Sequence, residues 1–246
     1  MRLELHIRRV NDMSSHHNDK VDATLLRTGI AGTGGRILIV TSVPAERDAV
    51  LRGMGGDARF NVIVGGVGTA AAAASTAREL AAGDYGTAVC VGIAGGFADR
   101  ADVGSVVVAS SIIAADLGAE TPDGFCSVDK LGFGSGYLSV DAGMAGRICQ
   151  ALQAIPLSAC TGPVLTLSTV TGTVGTAAML AQRVPGAAAE AMEGYGVAVA
   201  AGQFGLPACE IRSISNTVGP RDRTAWRIPE ALKTLEAACS VLPEVL

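Results

Sequence analysis

From Arg36 onward the chain alternates short apolar, often β-branched runs with longer alanine-rich segments, and this alternation restricts the fold more than any single motif. Ile37-Leu38-Ile39-Val40 is apolar without a break, as a strand covered on both faces must be. Phe60–Val64, Ala88–Val91, Ser105–Ala109, Val164–Leu167 and Cys209–Ile214 repeat the pattern, while Thr69–Ala82 and Thr176–Val184 have the length and composition of helices. Strands separated by helices build parallel βαβ units with right-handed crossovers. The expected architecture is therefore a three-layer α/β/α domain over residues 36–246, with a central mixed, largely parallel sheet and a ligand at the carboxyl ends of its strands.

Other segments are less regular. Residues 1–35 mix charge, histidine and glycine without sustained periodicity and read as a flexible extension. Thr121–Gly136, dense in Gly and Asp, reads as a long loop over the ligand end of the sheet, and Pro229–Leu246 as a closing helix with proline in its first turn. A chain of 246 residues that is 49% hydrophobic can bury one large core. Its net charge of −4 offers no basic face for phosphates, so a small ligand is expected rather than nucleic acid. The longest apolar run is interrupted at Ser110-Ser111, too soon to span a bilayer, and the polar stretch Ser14–Asp19 stands where a signal peptide needs apolar residues. The expected location is the cytoplasm, with no membrane partner.

Histidine removes several chemistries at once. His6, His16 and His17 are the whole supply, all in the extension, which disfavours a Ser-His-Asp triad, a Cys-His pair and a His-ligated zinc site. The six cysteines are scattered in mostly apolar contexts without a CxxC pair and read as small core residues. Acid-base work is left to Glu, Asp and backbone groups, and neither a metal nor a cofactor is expected.

The motifs have competing readings. Gly66-Val67-Gly68-Thr69-Ala70-Ala71 fits the dinucleotide fingerprint GxGxxA, yet the next strand ends in Gly92-Ile93-Ala94 with no carboxylate for a ribose diol. A tight strand-to-helix turn with N–H groups facing a ligand explains it better. Gly92–Phe97 is either a turn that needs positive φ or a place where a flat ring approaches the backbone. Glu46 follows Pro44 beyond the first strand, where the helix macrodipole alone favours a carboxylate. Glu193 stands at the mouth of an apolar helix, and Asn216 ends a buried strand before Gly219-Pro220, where it can serve as a simple turn former.

Taken in order, Glu46, the Gly65–Gly68 turn, Ala94-Gly95-Gly96, Met192-Glu193 and Arg212-Ser213-Ile214-Ser215-Asn216 resemble the nucleoside phosphorylase/nucleosidase superfamily. The similarity runs from about Arg36 to the C-terminus. It is closest to the hydrolytic branch through Ser168–Thr173, Glu190–Gly196 and Ile214–Asp222. The resemblance implies cleavage of a purine N-glycosidic bond and a homo-oligomer. It implies as substrate futalosine, a hypoxanthine nucleoside of menaquinone biosynthesis with a carboxylated aryl ketone at its 5′ end.

The resemblance also implies residue roles. Glu193 holds the ribose hydroxyls with Met192 packed against the sugar, Asn216 stabilises the leaving base, and Glu46 is the general base toward water. Gly68, Ala94, Gly95, Val170 and Thr171 line the nucleoside. Adenine-cleaving relatives carry Asp at the position of Asn216 and usually an aromatic at that of Val170; an amide here favours hypoxanthine. Phosphorylases bring phosphate-binding arginines in segments corresponding to Gly65–Gly68 and Gly92–Phe97, which have none here. Arg221, Arg223 and Trp226 suit a carboxylate and an aryl ring, although a solvated basic loop is the simpler explanation. Three alternatives stay open: a nucleosidase for methylthioadenosine or S-adenosylhomocysteine, a nucleoside-binding module without turnover, and a dinucleotide-binding dehydrogenase.

Overall fold

The computed structural model describes residues 35–246, so the extension expected over 1–35 lies, but for its last residue, outside the described residues. The elements in order are β1 (Arg36–Thr41), α1 (Pro44–Met54), β2 (Phe60–Val64), α2 (Thr69–Ala82), β3 (Tyr85–Gly96), β4 (Val106–Ala114), β5 (Gly118–Thr121) and β6 (Gly124–Ser127). They continue with α3 (Val128–Leu131), β7 (Tyr137–Ser139), α4 (Ala142–Ala154), β8 (Ala159–Thr166), α5 (Val174–Arg183), β9 (Ala189–Ala191) and α6 (Gly194–Gln203). The chain then forms β10 (Ala208–Thr217), a 3-10 turn (Arg223–Ala225), α7 (Ile228–Cys239) and α8 (Leu242–Val245).

The apolar run of β1 is continuous because its two faces feed different cores. Ile37 and Ile39 join a cluster with Val50 of α1, Ile148 of α4 and Leu235 of α7. Leu38 and Val40 point the other way, into a cluster with Ala72 and Leu80 of α2 and Val197 of α6. Strand β3 divides identically, Val89 and Val91 to one side, Ala88 and Cys90 to the other. This period-two partition makes the expected three layers.

The sheet is mixed, as expected. Strands β2, β1, β3 and β10 run parallel in that spatial order, β4 is antiparallel to β10, β8 is parallel to β4, and β9 joins β8 in parallel and β3 in antiparallel. Because β3 pairs with both β9 and β10, five strands close into a ring from which β1 and β2 extend. The carboxyl ends of β1, β2, β3 and β10 therefore face one side.

Three sequence expectations change. Gly92–Gly96 is the last part of β3, not a turn, and none of its glycines has positive φ; a side chain at Gly92 would collide with Glu46 and Arg212, and one at Gly96 with Ala101 and Ile214. Thr121–Gly136 is not a plain loop, since it holds the second half of the β5–β6 hairpin and α3. The closing helix is broken between Cys239 and Leu242, where Pro243 has no N–H to extend the ladder. Helix α4 adds to the expected set, its N-terminus capped by Asp141, which accepts from the Met144 N–H at 2.6 Å.

Helices α2 and α6 pack closely at Gly196, where a β-carbon would fall inside contact distance of the Thr69 carbonyl oxygen. Gly196→Ala should destabilise the protein by about 1–3 kcal/mol, read as a lower midpoint in urea unfolding, and should weaken activity by pushing α6 off the Gly68 turn. Wild-type stability in this variant would show that the approach is not tight.

Candidate active site

Glu46 occupies the third position of α1 and is buried. The N-cap residue Val43 has no polar side chain, so Glu46 turns back: Oε2 accepts from the Ser42 N–H at 2.8 Å and the Val43 N–H at 3.2 Å. Its other oxygen, Oε1, accepts from the Ile93 N–H of β3 at 2.9 Å. The carboxylate is thus pinned across the ends of β1 and β3.

Glu193 immediately precedes α6 and is also buried. Its Oε1 accepts from the Gly68 N–H at 3.1 Å, and Oε2 accepts from the Met192 N–H at 3.3 Å. Gly66 and Gly68 have φ of 90° and 91°, so only glycine readily lets this turn point its N–H at the carboxylate. Thr69 adds a bond from its hydroxyl to the Met192 carbonyl at 3.1 Å. The turn after β2 therefore binds a protein carboxylate in this structure.

Arg212 joins these groups. It lies within β10 with 1% of its surface exposed. Nη2 donates to Glu193 Oε2 at 3.1 Å and to Cys90 Sγ at 3.1 Å, Nε donates to Glu210 Oε1 at 2.8 Å, and Nη1 donates to the Ile93 carbonyl at 3.4 Å. Ile93 thus meets Glu46 through its N–H and Arg212 through its carbonyl. Glu46 and Glu193 are brought to one place.

Glu210, two residues from Arg212 on the same strand face, is fully buried, and its Oε2 has no hydrogen-bond partner among the described residues. Burial pushes its carboxyl group above the ordinary range despite the opposing effect of Arg212. Gly194 is required beside it, because a β-carbon there would overlap the Glu210 carboxylate. Arg212 and Glu210 had no assigned role from sequence. The available signal was two opposite charges at period two inside an apolar strand that ends in Asn216.

Asn216 is half-buried at the end of β10, in register with Gly95. Its Oδ1 accepts from the Ser215 hydroxyl at 2.9 Å, and its Nδ2 donates to the Thr217 carbonyl at 3.1 Å. Ala94 is buried one step earlier on β3, with its carbonyl 3.2 Å from Ser215 Oγ. On the loop after β8, Val170 is 38% exposed while Thr171 is buried, donating its N–H to Glu190 Oε1 at 2.9 Å and its hydroxyl to Glu190 Oε2. Arg223 opens the exposed 3-10 turn, whose N-cap Asp222 accepts from the Thr224 N–H at 2.9 Å. It stands beyond β10 and apart from the Glu46–Arg212–Glu193 cluster.

This arrangement places two carboxylates, a buried cation and a carboxamide around one end of the sheet, as polar chemistry on a charge-developing substrate requires. A model of the phosphorylase superfamily matches residues 41–246. The chain is 47% identical over 230 residues to futalosine hydrolase of Streptomyces coelicolor, covering 85% of this chain and 96% of the relative. Among solved structures, native futalosine hydrolase of Helicobacter pylori superposes with a TM-score of 0.75 at 16% identity, covering 86% of this chain and 98% of that one. A point mutant of MTAN from the same organism, with 5′-methylthioadenosine in its active site, also gives 0.75, at 17% identity, covering 87% and 100%. At such identity the structural likeness shows the fold alone.

Removing Arg212 leaves two buried carboxylates without their cation. Arg212→Met should cost roughly 3–5 kcal/mol in urea unfolding at neutral pH. Because the folded-state pKa of Glu210 is already raised, the folded variant binds more protons than the unfolded chain, so its deficit relative to wild type should shrink as pH falls toward about 5. A deficit independent of pH would mean that these carboxylates do not set it.

Proposed function

The chain belongs to the phosphorylase superfamily, and from that premise we propose that it hydrolyses futalosine at the N-glycosidic bond, releasing hypoxanthine and dehypoxanthine futalosine. The observation that carries this reading is the 47% identity to the Streptomyces coelicolor futalosine hydrolase over 96% of that relative. The chain is an N-glycosidase, with a small nucleoside as its partner. The reaction belongs to menaquinone biosynthesis, and the catalytic domain over residues 36–246 acts as a homo-oligomer in the cytoplasm. No helix among the described residues is long and apolar enough to cross a membrane.

In this scheme Glu193 takes the 2′- and 3′-hydroxyls of the ribose, and Met192 packs against the sugar. As the bond to the base lengthens, positive charge grows on the ring, and the Glu193 carboxylate stabilises it. Arg212 does not cancel that carboxylate, because it is shared with Glu210 and Cys90. Asn216 donates to the departing base. Glu46, held by three backbone N–H groups in one orientation, takes a proton from the water that attacks C1′. Gly68, Ala94 and Gly95 form the backbone wall, Val170 and Thr171 the far rim, and Arg223 meets the 5′ carboxylate. The scheme uses no metal or cofactor.

Purified protein incubated without phosphate should release hypoxanthine from futalosine and leave inosine, methylthioadenosine and S-adenosylhomocysteine untouched, as read by chromatography of the free base. Release of adenine from methylthioadenosine with futalosine intact would sink the proposal. Glu46→Gln and Glu193→Gln should each lower kcat by ~10²–10⁴ in protein that still unfolds cooperatively, and Glu193→Gln, which takes a carboxylate from Arg212, should also lower the melting midpoint. Arg223→Ala should raise KM for futalosine, and an unchanged KM would take this arginine out of recognition.

A further inference from the structure

Among the described residues Glu210 is the most deeply buried carboxylate, with none of its surface exposed. It shares a strand face with Arg212 two residues on, and its Oε1 accepts from Nε at 2.8 Å. Glu193 takes Nη2 of the same guanidinium at 3.1 Å. One buried cation therefore meets two carboxylates, although one would balance its charge. The second weakens the fold, because its Oε2 has no partner among the described residues and a desolvated carboxylate with an unpaired oxygen is destabilising. The backbone nevertheless makes way for it, since a β-carbon on Gly194 would fall on the Glu210 carboxyl group. Holding Arg212 in place does not by itself explain this second carboxylate.

We infer that Glu210 is a positioning residue for the hydrolysis, dividing the charge of Arg212 so that Glu193 keeps a net negative charge toward the ribose. This rests on the hydrolase reading above and assigns a part in it to the network behind Glu193. With no exposed surface Glu210 cannot touch the substrate, so it acts through Arg212. Arg212, Glu193 and Glu210 together carry one net negative charge; with residue 210 neutral they carry none, and the guanidinium is left to Glu193. No other charge faces Glu210. Arg212 lies on its own strand and Glu193 precedes α6, while burial keeps the thiols of Cys90 on β3 and Cys209 on β10 protonated. Glu46 of α1 reaches the cluster only through Ile93. The ribose is neutral in the bound nucleoside and becomes cationic as the bond to the base breaks, so this charge is felt in the transition state more than in binding. Burial also pushes the Glu210 carboxyl group up, against the effect of Arg212, so its protonation belongs to the acid limb of the rate profile.

The alternative is that Glu210 only completes the packing around Arg212. Glu210→Gln keeps the shape and still accepts from Nε through its amide oxygen, so packing alone would leave turnover intact. In protein that still unfolds cooperatively, release of hypoxanthine from futalosine at neutral pH should show kcat lower by ~10–30-fold and KM within about threefold of wild type. The deficit should shrink as pH falls, because wild type then protonates Glu210 and loses the same charge. In a Glu193→Gln background the substitution should change kcat by less than about threefold, since no carboxylate remains there for Arg212 to neutralise. Equal losses in both backgrounds, or a loss independent of pH, would mark packing and overturn the proposal. Where Glu210→Gln does not fold, Glu210→Asp decides, because it keeps the charge: kcat within about threefold of wild type supports charge division, and a loss of ~10-fold or more overturns it. If wild type releases hypoxanthine and Glu210→Gln matches it, Glu210 alone is misassigned; if wild type releases none, the reaction itself is wrong and the proposal falls with it.

Discussion

Arg212 is a full positive charge inside a strand with almost no solvent contact, and its position decides where the other polar groups stand. A lone guanidinium in that place would be untenable, since desolvation outweighs any single contact. It is tolerated because Glu210 and Glu193 meet it from the same strand and from the start of α6, while the Ile93 carbonyl and Cys90 complete its surroundings. Those partners come from β3, β10 and α6. The cation therefore fixes three elements relative to one another, and Glu46 joins through the N–H of Ile93. In a low-dielectric cluster each group is oriented by the rest, and Glu193 is held without being neutralised.

The cluster depends equally on what is missing. Gly92 leaves room for Glu46 and Arg212, Gly194 for the Glu210 carboxylate, and Gly196 for the turn of α2 against α6. None of these three has positive φ, so their value is space rather than backbone freedom. Alanine-rich helices serve the same end. Small residues let helix termini and strand ends approach closely enough for backbone N–H groups, such as those of Gly68 and Ile93, to reach carboxylates.

Much of this was legible in the sequence, for physical reasons that differ by element. Ile37–Val40 and Ala88–Val91 had to be buried strands because nothing else uses unbroken apolar runs of that length between helices. The Glu46, Glu193 and Asn216 positions were legible as polar residues where strands end, although their ordinary roles as helix-start and turn residues were equally well signalled; the helix-start description holds for Glu46 and Glu193, whereas Asn216 is still paired with Gly95 within β10. Gly92–Gly96 was misread because glycine in a strand looks like a turn; only the packing of Arg212 and Ile214 against it explains extended glycine. Arg212, Glu210 and Glu190 were opaque for another reason. A charge in an apolar strand becomes meaningful only when its partners, here from sequence-distant elements, are known.

That pairing also bears on the nucleophile. Holding phosphate requires fixed cationic donors that remain available at the ligand. The one arginine at the centre of this site directs its donors to Glu193, Glu210, Cys90 and the Ile93 carbonyl, and the glycine segments Gly65–Gly68 and Gly92–Phe97 carry no arginine. An oxyanion placed there would also meet the like charges of Glu46 and Glu193. Water is neutral, needs only an acceptor to orient and deprotonate it, and gains from the same carboxylates that repel phosphate. The charge distribution thus favours hydrolysis because the cation is spent on holding carboxylates.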